Sequence, residues 1–247
     1  MTLLELTDVS RCSRDGAREL VVLDGVSFDV HAGEFVGIYG ERRSGKSTLL
    51  RVAAGLEAAD AGTVAFDGVD LARLSIGGRA RLRRRGGLAL AVGDSGPLSS
   101  SQPVIEYVAL PLTGDGLTLG ESEGLARPVL ERVGLSARSH LRVDQLSFSD
   151  RLGVELARAL AREPRLLLVD EPAVLPGPSE RRELLSLLRA LSESGIAVAI
   201  ASEDMGMLAG VGRFLTLSDG RLRSTDSRRR VIPFPGARAA GGAGRSR

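Results

Sequence analysis

The run Gly40-Glu41-Arg42-Arg43-Ser44-Gly45-Lys46-Ser47 sets two glycines, a lysine and a hydroxyl at the spacing G-x-x-x-x-G-K-[ST]. Those residue types at that spacing can wrap phosphate groups. The glycines let backbone amides turn inward around an anion, and a helix starting near Lys46 adds its positive end. Lys46 would reach the β- and γ-phosphates and the Ser47 hydroxyl would ligate Mg²⁺, with Thr48 next on the same turn. A chance glycine turn capping a helix is the bland alternative. Against it stands the context: an apolar strand, Glu34–Tyr39, precedes the run, and Ser47–Gly55 has helical periodicity.

A second constellation is Leu166-Leu167-Leu168-Val169-Asp170-Glu171. Four apolar residues predict a buried strand that delivers Asp170 to the carboxyl end of a sheet, beside the phosphate loop. Asp170 would hold Mg²⁺ through water, and Glu171 is placed to polarise an attacking water. The plainer alternative is that two acids end a strand and cap the turn before Pro172. Lysine usage points to the same place. Of 33 basic residues only Lys46 is a lysine and the other 32 are arginine, and arginine does not replace lysine as a compact phosphate-binding charge.

Periodicity supplies the elements that must position these groups. Leu3–Val9 alternates as a strand, a turn falls at Arg14–Ala17, and Leu20–Leu23 and Val26–Val30 read as further strands. Gly62–Asp67 and Leu88–Val92 are strands, and Arg73–Arg85 is a very basic helix whose charge reads first as a solvated face. Gly93–Gln102 is a loop. Val104–Leu110 and Ala126–Val133 read as helices about a turn at Thr113–Gly116. Asp150–Ala161 is a helix with Leu152, Leu156, Ala159 and Leu160 on one side. Glu180–Ser192 is an amphipathic helix, Ile196–Ala201 a buried strand, and Phe214–Ser218 with Arg221–Ser224 a hairpin around Asp219-Gly220. Strand–helix alternation late in the chain predicts an α/β fold with a parallel core.

The 247 residues, 43% hydrophobic and 26% charged, suffice for a sizeable core in one domain or a domain with a subdomain. The longest apolar runs, Leu88–Val92 and Ile196–Ala201, fall far short of the roughly 20 residues that span a bilayer. Thr2–Asp8 alternates like a strand rather than a signal peptide, and a lone Cys12 excludes an internal disulfide. Cytoplasm is the expected compartment. The net charge of +2 is unevenly placed: Arg228–Arg247 holds six arginines and no acid, which leaves about −4 on residues 1–227. The basic end, Gly-, Arg- and Ala-rich after Pro235, is expected to be disordered.

With both motifs in place, the order of further segments resembles an ABC transporter ATPase subunit over residues 3 to about 225. Those segments are Asp60-Ala61-Gly62-Thr63-Val64, Asp67-Gly68-Val69-Asp70-Leu71, Glu106–Leu112, Asp144-Gln145-Leu146-Ser147, Ala157-Arg158-Ala159-Leu160, Glu163-Pro164 and Asp170-Glu171-Pro172. The flavour is the lipoprotein-releasing and macrolide-export type, which pairs with short permeases. The resemblance implies a P-loop RecA-like core with an antiparallel β-subdomain and an inserted helical subdomain over about 95–160, all within a nucleotide-binding domain of residues 1–227. It implies ATP and Mg²⁺ as cofactors, and head-to-tail dimers with two ATPs sandwiched between subunits. The implied partners are an integral-membrane permease and a second nucleotide-binding subunit, in a homo- or heterodimer held peripherally on the inner face of the cell membrane. Nucleic acid is not an expected partner.

Several motifs of that family are altered. Its Leu-Ser-Gly-Gly-Gln loop reads Leu146-Ser147-Phe148-Ser149-Asp150, without either glycine and with a carboxylate where the partner subunit's γ-phosphate is expected. Ser149 or Asp150 would then serve locally as a helix N-cap. The switch histidine after Ala199-Ile200-Ala201-Ser202 is Glu203, and the γ-phosphate-sensing glutamine aligns with Asp94. Ala173-Val174-Leu175-Pro176-Gly177 replaces an aspartate-ended turn, the adenine-stacking aromatic falls at Cys12 or Ser13, and Arg43 replaces a common glycine. His31 and His140 lie elsewhere, as surface residues. Binding residues persist while sensing residues are lost, which predicts slow hydrolysis and weak self-pairing. Three functions stay open at this point: a transporter's ATP-binding subunit, a catalytically degenerate regulatory or scaffold subunit pairing with an intact cassette, and a nucleic-acid-associated ATPase using the arginine tail.

Overall fold

The computed structural model describes residues 1–15, 18–84, 86–92, 101–172 and 177–225. β1 (Thr2–Asp15) and β2 (Arg18–His31) form a long antiparallel hairpin, after which β3 (Phe35–Tyr39) leaves for a second sheet. The chain returns in β4 (Ala61–Phe66) and β5 (Val69–Asp70), giving an antiparallel sheet in the order β2-β1-β4-β5. β6 (Leu88–Val92), β7 (Leu166–Asp170), β8 (Ala197–Ser202), β9 (Arg213–Ser218) and β10 (Arg221–Thr225) join β3 in a six-stranded sheet, ordered β10-β9-β3-β8-β7-β6. That sheet is parallel from β9 to β6, with β10 antiparallel at one edge. The helices are α1 (Lys46–Ala53), α2 (Ile76–Arg84), α3 (Val104–Thr113), α4 (Leu119–Arg132), α5 (Phe148–Leu160) and α6 (Pro178–Glu193). Among the described residues no helix is long and apolar enough to cross a membrane.

Burial explains why β7 is apolar up to Asp170. Leu166 and Leu168 pack with Leu4, Ile38, Leu49 and Leu50 beneath the antiparallel sheet and α1. Leu167 and Val169 face the other way, among Leu152, Leu156, Leu184 and Leu188 of α5 and α6. A strand covered on both faces has no polar row. A third cluster, with Val104, Val108, Leu130, Val154 and Ala157 at its centre, belongs to α3, α4 and α5.

Several boundaries differ from the sequence-based ones, each for a local reason. β2 is one strand, not two, because β1 pairs along its length and a register shift near Val9 and Arg11 absorbs Asp24-Gly25. Gly25 takes φ +60° there and donates its N–H to Ser10 Oγ at 3.0 Å. α4 starts at Leu119 rather than Ala126, since Thr118 and Glu121 form a capping box, a signal present in the sequence. α3 runs past Leu110 to Thr113. The cap of α5 is Ser147, not Ser149 or Asp150: its Oγ accepts the Asp150 N–H at 3.2 Å. Asp94, Ala173–Pro176 and the tail 228–247 lie outside the described residues, as do most of the loop expected over Gly93–Gln102.

Candidate functional site

The parallel strands deliver their carboxyl ends to one edge. Tyr39 of β3 is in register with Ser202 of β8, and Ala201 with Asp170 of β7, so the loop after β3 and the acids after β7 meet across β8. Gly40–Gly45 turns from β3 into α1. At Gly45, φ is +101°, and a Cβ there would come 2.7 Å from the Val22 carbonyl oxygen, so a side chain is excluded by both conformation and space.

Lys46 is buried at 5% exposure. Its Nζ donates to the carbonyl oxygens of Gly40 at 2.8 Å and Glu41 at 3.0 Å, and lies 3.4 Å from Glu171 Oε2. The ammonium is thus held on its own loop and on the acid after β7. Glu171 takes φ +46°, a left-handed conformation that carries strain in a residue other than glycine. It is held there by its N–H on Ala201 O at 3.0 Å and by its Oε1, which accepts the Glu203 N–H at 2.9 Å.

Asp170 is 3% exposed. Burial raises its pKa above the ordinary aspartate value; a hydrogen bond from Ser47 works the other way, and the neighbouring Glu171 charge adds to the rise. Its Oδ1 is buried without a hydrogen-bond partner among the described residues. An orphaned carboxylate oxygen beside a serine hydroxyl fits a hard cation that binds oxygen, as Mg²⁺ does. A carboxyl with a raised folded-state pKa contributes most below its unfolded pKa, and that contribution is lost as pH rises through the folded value. The ionised form of Asp170 therefore costs stability in the cation-free protein. Asp170→Asn should raise the Tm of the cation-free protein, by about 2–4 °C for each kcal/mol recovered, and should abolish any Mg²⁺-dependent thermal shift with ATP. A lower Tm in nucleotide- and Mg²⁺-free buffer would refute this reading of Asp170.

Arg42, Arg43, Ser44, Gly45, Lys46, Ser47, Thr48 and Glu171 line one cleft of about 490 Å³ together with Val22 and Glu203. Gly40 and Glu41 lie under Lys46 as carbonyl acceptors, and Asp170 sits beneath, against Ser47. Val22 comes from β2, far away in sequence, and no local signal marked it. Glu203 reaches the cleft as its sequence position suggested. Cys12 does not line it: its N–H donates to Asp60 Oδ2 at 2.7 Å.

The Leu146–Asp150 segment stands apart from this cleft, at the start of α5. Asp150 has two local partners there. Asp150 Oδ1 pairs with Arg138 at 3.1 Å, and Oδ2 accepts the Ser147 hydroxyl at 2.6 Å. His31, exposed and beside Asp29 at 3.1 Å, and His140, also exposed, take no part in the site.

Comparison with known proteins adds a frame to this geometry. The family model described as ABC transporter matches residues 23–174. The chain is similar to the lipoprotein-releasing system ATP-binding protein LolD 2 of Caulobacter vibrioides, at 39% identity over 221 residues, 89% of this chain and 96% of that protein. It is also similar to the methionine import ATP-binding protein MetN of the same organism, at 35% over 240 residues, 96% of this chain and 71% of that one. Among solved structures, a dimeric ATP-binding cassette in a post-hydrolysis state with ADP and Pi superposes with a TM-score of 0.81 at 25% identity, covering 90% of this chain and 98% of the other.

Proposed function

The chain belongs to the ABC transporter family as an ATP-binding subunit with ATPase chemistry, and from that premise we propose which of its residues do the work. Gly40, Glu41, Arg42, Arg43, Ser44, Gly45, Lys46, Ser47 and Thr48 bind ATP, Ser47 and Asp170 hold Mg²⁺, and Glu171 is the catalytic base. The observation that carries this reading is the convergence of Ser47 with buried Lys46 and Asp170 at the carboxyl ends of β3 and β7, with Glu171 3.4 Å from Lys46. Loop amides bind the phosphates, and Lys46 exchanges the Gly40 and Glu41 carbonyls for phosphate oxygens. Glu171, released from Lys46, orients a water and takes its proton. That water adds to the γ-phosphorus as the bond to the bridging oxygen breaks, giving ADP and phosphate. Mg²⁺, when bound, supplies positive charge to the polyphosphate.

Residues 1–227 form the nucleotide-binding unit, with a helical part over about 95–160 and the arginine tail 228–247 beyond it. The working assembly pairs this cassette with a second one on an integral-membrane permease, at the inner face of the cell membrane. The regulatory alternative gains nothing over this reading, because both relatives named above are ATP-binding proteins of transport systems.

Tagged full-length chain purified from gently solubilised native cells should carry a polytopic membrane protein with it, identifiable by mass spectrometry. Recovery without any membrane protein, from cells in which the chain is expressed, would overturn the transporter reading.

A further inference from the structure

Arg43 holds φ at +64°, a region in which glycine is relaxed and a branched-off side chain is strained. The other described residues with positive φ that are not glycine are all carboxylates: Asp8, Asp67, Glu163, Glu171 and Asp219. Aspartate tolerates that conformation in turns. Arginine has no such local excuse, and strained residues cluster at functional sites. Two of these six residues, Arg43 and Glu171, line the same cleft.

Charge in that cleft gives the strain a purpose. Its ionisable walls are Arg42, Arg43 and Lys46 against Glu171 and Glu203, with Asp170 buried beneath. Lys46 is already committed to two carbonyls and to Glu171. With Lys46 alone, the two glutamates would leave the walls net negative, and a polyphosphate would be repelled. Arg42 and Arg43 reverse the sign. Both are exposed, and neither makes a hydrogen bond or ion pair among the described residues. A guanidinium is a planar fork that matches two phosphate oxygens.

Resting on the ATP-binding reading above, we propose that the Arg43 side chain is itself a phosphate-binding group, which grips the nucleotide's polyphosphate and offsets the Glu203 carboxylate across the cleft. The role differs from that of the loop amides, which any residue could supply. It makes a sharp distinction possible, since Arg43→Gly relaxes the backbone while removing the guanidinium. An inert arginine would be improved upon by glycine; a phosphate-binding one would not.

The test is calorimetric titration of the full chain with MgATP and MgADP, at two salt concentrations. Arg43→Gly should weaken ATP binding about tenfold, some 1.4 kcal/mol, and flatten its salt dependence. Arg43→Lys should lose less, and adding Glu203→Gln to Arg43→Gly should recover much of the loss. Thermal melting confirms that each variant is folded. Affinity for Arg43→Gly equal to or tighter than that of the parent overturns the assignment and leaves the ATP-binding reading standing. A folded parent that binds no nucleotide overturns both.

Discussion

Lys46→Ala should weaken MgATP binding at least about tenfold in calorimetric titration, roughly 1.4 kcal/mol. Lys46 is the one lysine in the chain, and it is buried with its ammonium at the floor of the cleft. Alanine removes the charge that would meet the β- and γ-phosphates. It also strips Glu171 Oε2 of its partner at 3.4 Å, leaving two glutamates facing the incoming anion with less to balance them. Both effects act in the same direction, so the loss should exceed that of any arginine on the cleft's outer wall. Unchanged affinity in a folded Lys46→Ala protein would mean that the phosphate site is not here.

The purified chain alone should hydrolyse ATP at well below about 1 s⁻¹, the low end of common enzyme rates, and Glu171→Gln should cut what remains by about 10²-fold or more. Glutamine keeps the shape and can still accept the Glu203 N–H, now held at 2.9 Å by Oε1. It cannot take a proton from water. The slow starting rate follows from Glu203, whose carboxylate lines the cleft and cannot donate a hydrogen bond to a γ-phosphate. Brisk turnover by the homodimer, or indifference to Glu171→Gln, would contradict this.

The phosphate loop, the strand ending in Asp170 and the α/β class could be read from the sequence because each is local: a fixed spacing, an apolar run, an alternation of period. The facing of Leu167 and Leu168 onto different cores follows from the same alternation. What escaped the sequence was set by distant partners. Lys46 folding onto Gly40, Glu41 and Glu171 depends on β3 and β7 ending side by side. The contribution of Val22 depends on how β2 lies over the loop. The pairing of Asp150 with Arg138 joins residues twelve positions apart, and no local pattern announces it. The Thr118–Glu121 box was in plain view, but the apolar pattern that begins at Ala126 drew the boundary too late.

The site is stiff on one side and compliant on the other. β7 is buried at every position and gripped by separate cores on its two faces, so Asp170 and Glu171 project from something like a beam clamped above and below. The opposite wall has no such clamp at its rim, where Glu41, Arg42 and Arg43 are exposed. Local rearrangement is cheapest where packing is thin. A nucleotide bound in this cleft as proposed would therefore meet a fixed pair of acids on one side and a loop with room to adjust on the other.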